Sequence, residues 1–182
     1  MINKSIKVAV CSRSFSKNIY LKQQLKRKYK YVKFNNTNKT LKGKDLVKFL
    51  QSADKAIIGL EKIDKLILNQ IPNLKVISKY GVGLNNIDLN YLRVKKIKIG
   101  WEAGVNKRSV SELTLFYMIN LRRMLFLNML SISKYQWKQQ VGSMLTGSKI
   151  GIIGCGNIGK DLINLLKPFN CKIYVNDIVN YK

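Results

Sequence analysis

Residues 149–153, Lys149-Ile150-Gly151-Ile152-Ile153, pass without interruption into Gly154-Cys155-Gly156-Asn157-Ile158-Gly159. Leu162, Leu165 and Leu166 follow at helical spacing, Pro168 and Asn170 stop that pattern, and residues 171–176 form a second apolar run ending at Asp177. A strand, a glycine turn, a helix and another strand in this order require a crossover, and so a helix packed on a parallel sheet. Each glycine has its own reason. Gly154 permits the tight strand-to-helix turn, Gly156 leaves bare backbone for a phosphate to approach, and Gly159 lets helix and strand pack closely. The amides of Asn157 and Ile158 open the helix, where unpaired N–H groups and the positive dipole end receive a diphosphate. Asp177 stands 18 residues past Gly159, where a carboxylate accepts hydrogen bonds from ribose hydroxyls. The same charge repels a 2′-phosphate, so NAD is expected rather than NADP. A glycine turn that binds nothing is the plain alternative. The complete setting of strand, helix and acid favours the dinucleotide site.

The rest of the chain alternates in the same way. Strands are expected at about residues 6–11, 31–34, 55–58, 74–78 and 97–99, with helices at 18–28, 44–50, 63–68 and 86–93. In the helix at 18–28, Ile19, Leu21 and Leu25 are the candidates for the core. The loop 79–86 follows a strand and contains Gly81 and Gly83, so it sits at a carboxyl end, where open α/β sheets bind ligands. The pattern then changes to a single long apolar helix over about 107–130, with Ser109 or Ser111 as its cap and a buried position expected of it. A boundary between two domains is expected near residue 100.

Composition narrows the possibilities. There is no histidine among the 182 residues, which removes the commonest general acid or base near neutral pH. Cys11, Cys155 and Cys171 have no metal-type spacing and read as reduced thiols. No apolar run approaches the roughly 20 residues of a membrane span, and no signal-peptide pattern opens the chain, so the cytoplasm is expected. The net charge of +25 favours polyanions in a salt-dependent manner. The basic residues occur along the whole chain, together with much Asn and Ile, and no specific nucleic-acid partner is expected.

Residues 74–88, LKVISKYGVGLNNID, residues 103–106, AGVN, residues 109–114, SVSELT, and then Trp137, Thr146-Gly147 and the Gly154 loop occur in one order. Together they resemble the D-isomer-specific 2-hydroxyacid dehydrogenases, in the manner of phosphoglycerate dehydrogenase. The resemblance implies an α/β architecture: a flavodoxin-like substrate domain over about 1–100, then an incomplete Rossmann-type NAD-binding domain over 101–182. It implies hydride transfer between NAD(H) and a 2-hydroxy or 2-keto acid, and a homodimer in the full-length form. It places Lys79, Val82 and Gly83 at the substrate, with Val82 also near the nicotinamide. Gly154, Gly156, Asn157, Ile158 and Gly159 fall at the pyrophosphate and Asp177 at the ribose. Asn85 stands where the family usually has Asp, and Asn157 where it usually has Arg; neither change removes a backbone contact.

The family's Arg, Glu and His lie later than Lys182, so no catalytic residue is expected in this chain. It reads as a truncated dehydrogenase, inactive alone, and a complementary chain carrying the remainder is a possible partner. A non-catalytic nucleotide-binding or interaction module is the second reading, and a basic nucleic-acid binder the third.

Overall fold

The computed structural model describes residues 2–179; Lys182, where the cofactor half is expected to break off, lies outside them. The chain divides into two compact units between Glu102 and Ala103.

The first unit is a parallel five-stranded sheet with helical crossovers. Its elements are β1 (Asn3–Val10), α1 (Arg13–Lys17), α2 (Ile19–Lys28), β2 (Tyr29–Phe34), α3 (Gly43–Leu50), β3 (Lys55–Ile58), α4 (Lys65–Asn69), β4 (Val76–Lys79), α5 (Leu89–Val94) and β5 (Lys98–Gly100). The strand order is β2-β1-β3-β4-β5, and every adjacent pair is parallel. This is the flavodoxin-type order, whose switch point lies between β1 and β3. The register sets Val8 beside Lys55 and Ala56 beside Ile77. The core gathers Ala9, Leu46, Leu50, Ile58, Ile63 and Ile77, among others. Leu46, Leu50, Ile58 and Ile77 are fully buried, each stabilising the unit by about 1.5–3 kcal/mol.

Side-chain caps decide where these helices begin. Asn18 accepts from Leu21 N at 3.0 Å, Asp64 from Ile67 N at 3.1 Å and Asp88 from Tyr91 N at 2.9 Å. The last two start α4 and α5 two or three residues later than apolar periodicity suggests. The Asn18 cap also corrects an expected core position. It leaves Ile19 in the first, outward turn, 72% exposed, while Leu21 and Leu25 are half-buried and α2 buries no side chain completely.

The second unit contains α6 (Lys107–Arg123), α7 (Leu125–Ser133), β6 (Lys149–Ile153), α8 (Asn157–Leu166), a 3-10 turn (Lys167–Phe169) and β7 (Lys172–Asn176). β6 and β7 pair in parallel, from Lys149 beside Lys172 to Ile153 beside Asn176. Its core is Leu145, Ile150, Ile152, Leu162 and Leu166, with Leu115, Met118 and Ile119 of α6 packed against them.

The long helix expected over 107–130 is two helices. Met124 adopts φ 52°, and the hydrogen bonds around it explain the break. In a continuous helix the carbonyl of Arg122 would accept from Phe126 N. It accepts instead from Ser143 N at 2.7 Å, while Phe126 N donates to the Asn120 side chain at 3.1 Å. The Arg122 guanidinium donates to Met144 O at 3.1 and 3.0 Å, so residues 143–144 hold the helix end. Neither expected serine caps α6. Asn106 occupies that position; the Ser109 hydroxyl donates to Asn106 O, and buried Ser111 donates to Lys107 O and Ile158 O. The expected burial is also only partial: Phe116, Tyr117, Leu121 and Phe126 remain more than half exposed.

Among the described residues no helix is long and apolar enough to cross a membrane.

Candidate functional site

The turn between β6 and α8 is built from its glycines. Gly154 adopts φ +90°, a conformation that side chains strongly disfavour. A Cβ on Gly159 would collide with the carbonyl oxygen of Gly154 and lie 3.6 Å from the Ile152 side chain. Only glycine lets α8 rest this closely on β6. A Cβ on Gly156 would meet nothing within 4 Å. The three positions therefore differ: the first is demanded by backbone conformation, the third by packing, and the second by neither. What Gly156 keeps clear is open space in front of the helix.

Gly156 is the N-cap of α8, with no side chain capping it. Lys160 N donates to Gly156 O at 3.0 Å, closing the first helical turn. The amides of Asn157, Ile158 and Gly159 precede that bond and take no partner among the described residues, as expected of a first turn. They form a cluster of donors at the positive end of the helix dipole, facing the space Gly156 leaves. A diphosphate fits this cradle. The Asn157 side chain packs on Gly104, whose Cβ would lie 2.7 Å from Asn157 Cγ. Asn157 therefore contributes its amide and a packing contact. The packing of α6 on α8 also includes an Arg108–Asp161 ion pair at 2.9 Å.

Asp177 follows β7, and its carboxylate is already engaged. One oxygen accepts from Cys155 N inside the glycine turn, the other from Val179 N at 2.9 Å. The amide of Val179 and then that of Cys155 hold its carboxyl below the ordinary value of 3.8, because each N–H favours the charged form. The acid therefore ties the end of β7 to the turn. Each ionised oxygen retains a lone pair for a further donor, so a ribose hydroxyl remains compatible with the position.

In the first unit the loops after β3 and β4 meet at the carboxyl end of the sheet. Lys79 is the last residue of β4, and its ammonium donates to Gly59 O and to Asn86 Oδ1 at 2.8 Å. Asn86 Nδ2 donates to Glu61 O at 2.6 Å and Gly59 O at 3.2 Å. Glu61 is 1% exposed, and its carboxylate accepts from Gly59 N at 2.7 Å. Burial pushes the Lys79 ammonium below its ordinary pKa, and the nearby Glu61 charge opposes that shift. Lys79 is thus a half-buried cation held by Gly59 O and Asn86, while Glu61 anchors Gly59 and Asn86; neither Glu61 nor Asn86 stands out in the sequence as a site residue. The available signal was a carboxylate directly after the apolar run 56–60.

Beyond Lys79 the chain turns at Gly81, φ +135°. The Val82 carbonyl accepts from Trp101 Nε1 at 2.9 Å, which pins the loop, while the amides of Val82 and Gly83 take no partner among the described residues. A Cβ on Gly83 would meet nothing within 4 Å. The loop therefore offers two free donors beside a fixed cation, an arrangement suited to a carboxylate.

Known proteins resemble this chain in sequence and fold. The family profile described as D-isomer specific 2-hydroxyacid dehydrogenase, catalytic domain, matches residues 8–145. The profile for the same family's NAD binding domain matches residues 115–182. A hydroxypyruvate reductase of Thermotoga maritima is 30% identical over 144 residues, covering 78% of this chain and 47% of that protein. A D-3-phosphoglycerate dehydrogenase of Methanocaldococcus jannaschii is 29% identical over 132 residues, covering 71% of this chain and 25% of that protein. Among solved structures, a D-isomer specific 2-hydroxyacid dehydrogenase from Polaromonas shares the fold with a TM-score of 0.85 at 19% identity, over 97% of this chain and 56% of that one. The NAD+-bound 3-phosphoglycerate dehydrogenase of Entamoeba histolytica gives 0.71 at 26% identity, over 98% and 56%. The chain spans about half the length, or less, of the relatives it matches. With the catalytic-domain profile alone covering most of its residues, the chain belongs to the D-isomer specific 2-hydroxyacid dehydrogenases.

Proposed function

We propose that this chain is the substrate-holding part and the opening segment of the NAD-binding part of an NAD-dependent 2-hydroxyacid dehydrogenase, acting on a small 2-hydroxy or 2-keto acid. The observation that carries the proposal is the cradle at Gly156: three first-turn amides facing space kept clear by a glycine that neither packing nor backbone conformation requires.

In this reading Gly154, Gly156, Asn157, Ile158 and Gly159 hold the diphosphate. Asp177 orients the adenosine ribose and, by its charge, disfavours a 2′-phosphate. The amides of Val82 and Gly83 hold the substrate carboxylate, and Val82 also borders the nicotinamide. Lys79, kept rigid by Asn86 and Gly59, supplies positive charge beside the substrate. NAD, when bound, is the source or acceptor of the hydride. With no histidine among these 182 residues, the proton donor and the arginine that clamps the keto acid are assigned to groups other than these residues. The chain's cellular setting in this reading is the cytoplasm. A homodimer is the assembly that the apolar side chains exposed on α6 and α7 support, Phe116, Leu121 and Phe126 among them.

Calorimetric titration with NADH tests the reading. The wild-type chain is expected to bind, and Gly156→Val, whose side chain would enter the phosphate space, to lose at least tenfold in affinity without a change in thermal unfolding. A folded wild-type chain that gives no heat with NADH would sink the proposal.

A further inference from the structure

Thirteen Lys and Arg residues and not one Asp or Glu precede Asp45, so all nine carboxylates of the chain lie in the remaining residues. The fold concentrates this asymmetry. Those first residues supply β1, α1, α2 and β2, and β2 is an outer strand of its sheet. Lys26, Arg27, Lys28, Lys30 and Lys33 are exposed on α2 and β2.

A groove of about 370 Å³ runs along this edge. It is lined by Lys7 of β1, by Lys30, Tyr31 and Lys33 of β2, and by Phe49 and Ser52. The parallel register sets Lys7 beside Tyr31 and Ala9 beside Lys33, so these side chains share the face that α3 covers further along. The Lys33 ammonium sits 4.4 Å from the centre of the Phe49 ring, and that of Lys30 5.4 Å from the Tyr31 ring. Tyr31 is 48% exposed. Asp54 is the carboxylate adjoining the groove, and it is occupied: one oxygen accepts from Lys7 N at 2.9 Å, and the other pairs with Lys75 at 3.7 Å. The groove thus presents cations beside a half-exposed tyrosine ring, with no uncommitted carboxylate among the described residues that line it.

Cations set beside an exposed tyrosine ring suit a strand whose phosphates and base faces are both accessible. A duplex offers the phosphates but buries the base faces. We propose that the β2 edge binds single-stranded nucleic acid without sequence preference, with phosphates on Lys7, Lys30 and Lys33 and a base stacked on Tyr31. The groove adjoins the segment that enters β3, at the opposite end of the sheet from the Lys79 loop, so binding there does not depend on the dehydrogenase reading.

The test is fluorescence anisotropy of a labelled oligothymidylate of about 20 nucleotides, titrated with the whole chain at several salt concentrations. Combining Lys7→Glu, Lys30→Glu and Lys33→Glu is expected to weaken binding at least about tenfold. It should also lower the slope of log affinity against log salt by about 2, since each single-strand phosphate contact contributes about 0.7. Tyr31→Ala is expected to cost about fivefold or more at unchanged slope. The same charge reversal at the far edge, Lys95→Glu, Lys96→Glu and Lys98→Glu, should change affinity less than about twofold, because those lysines lie outside the groove. Lys→Gln versions of the groove variant should show the same ranking, and circular dichroism checks the folding of each protein. Equal loss in the two triple variants would overturn the proposal, since total charge rather than a site would then be responsible. So would tighter binding to a duplex of equal length, or tighter binding to phosphatidylserine vesicles that Tyr31→Ala leaves unaltered.

Discussion

Replacing Gly159 by alanine tests whether the close approach of α8 to β6 is what the third glycine provides. Two effects oppose each other. Gly159 is helical, and alanine is intrinsically better there by about 1 kcal/mol. Against that, the new methyl would overlap the Gly154 carbonyl oxygen and lie 3.3 Å from its carbon. Both are backbone atoms of a turn already held at φ +90°, so neither can rotate away as a flexible side chain would. Forcing a methyl group into such a site costs about 3 kcal/mol, the upper end of the usual range for overpacking. The net expectation is a loss of about 2 kcal/mol, a shift of roughly thirtyfold in the folded-to-unfolded ratio. Urea unfolding followed by far-UV circular dichroism measures the loss. Hydrogen exchange over residues 149–176 should locate it in the second unit. Gly156→Ala is the matched control, because its methyl meets nothing within 4 Å and its stability should be that of wild type. A Gly159→Ala protein as stable as wild type, with α8 equally protected, would refute the packing argument.

Two further outcomes follow from the hydrogen bonds. Asn86→Ala removes the side chain that bridges Lys79, Gly59 and Glu61, leaving half-buried carbonyls and a cation short of partners; a loss of about 1–3 kcal/mol is expected in urea unfolding. Asp177 has a folded-state pKa below its ordinary 3.8, so its stabilising contribution is present above that value and is lost as pH falls through the folded value. Asp177→Asn should therefore show a shallower decline of stability with falling pH below about 4, read from thermal midpoints across an acid series; identical acid limbs would refute the assignment.

Much of the architecture was legible locally. Short β-branched runs alternating with helical patterns specify parallel strands joined by crossovers, because such strands need a long connection and helices must bury their apolar stripes. The glycine turn was legible for a similar reason: its requirements of a positive φ, a close packing contact and a bare helix start concern residues near one another in sequence. Helix beginnings were less legible, since Asn18, Asp64 and Asp88 act through single side-chain bonds that periodicity does not weigh.

The sequence by itself determined the fold class, the family and the glycine cradle, all of which follow from short-range pattern and backbone restriction. Only the tertiary structure decided where the long helix breaks, because Ser143 captures the Arg122 carbonyl from 21 residues away. It alone decided that the Gly59 carbonyl holds Lys79, that Asp177 spends its carboxylate on the Cys155 amide, and that the acid-free start of the chain becomes one edge of a sheet. Each of these joins groups distant in sequence, and their meeting depends on strand order and register, which no local propensity encodes.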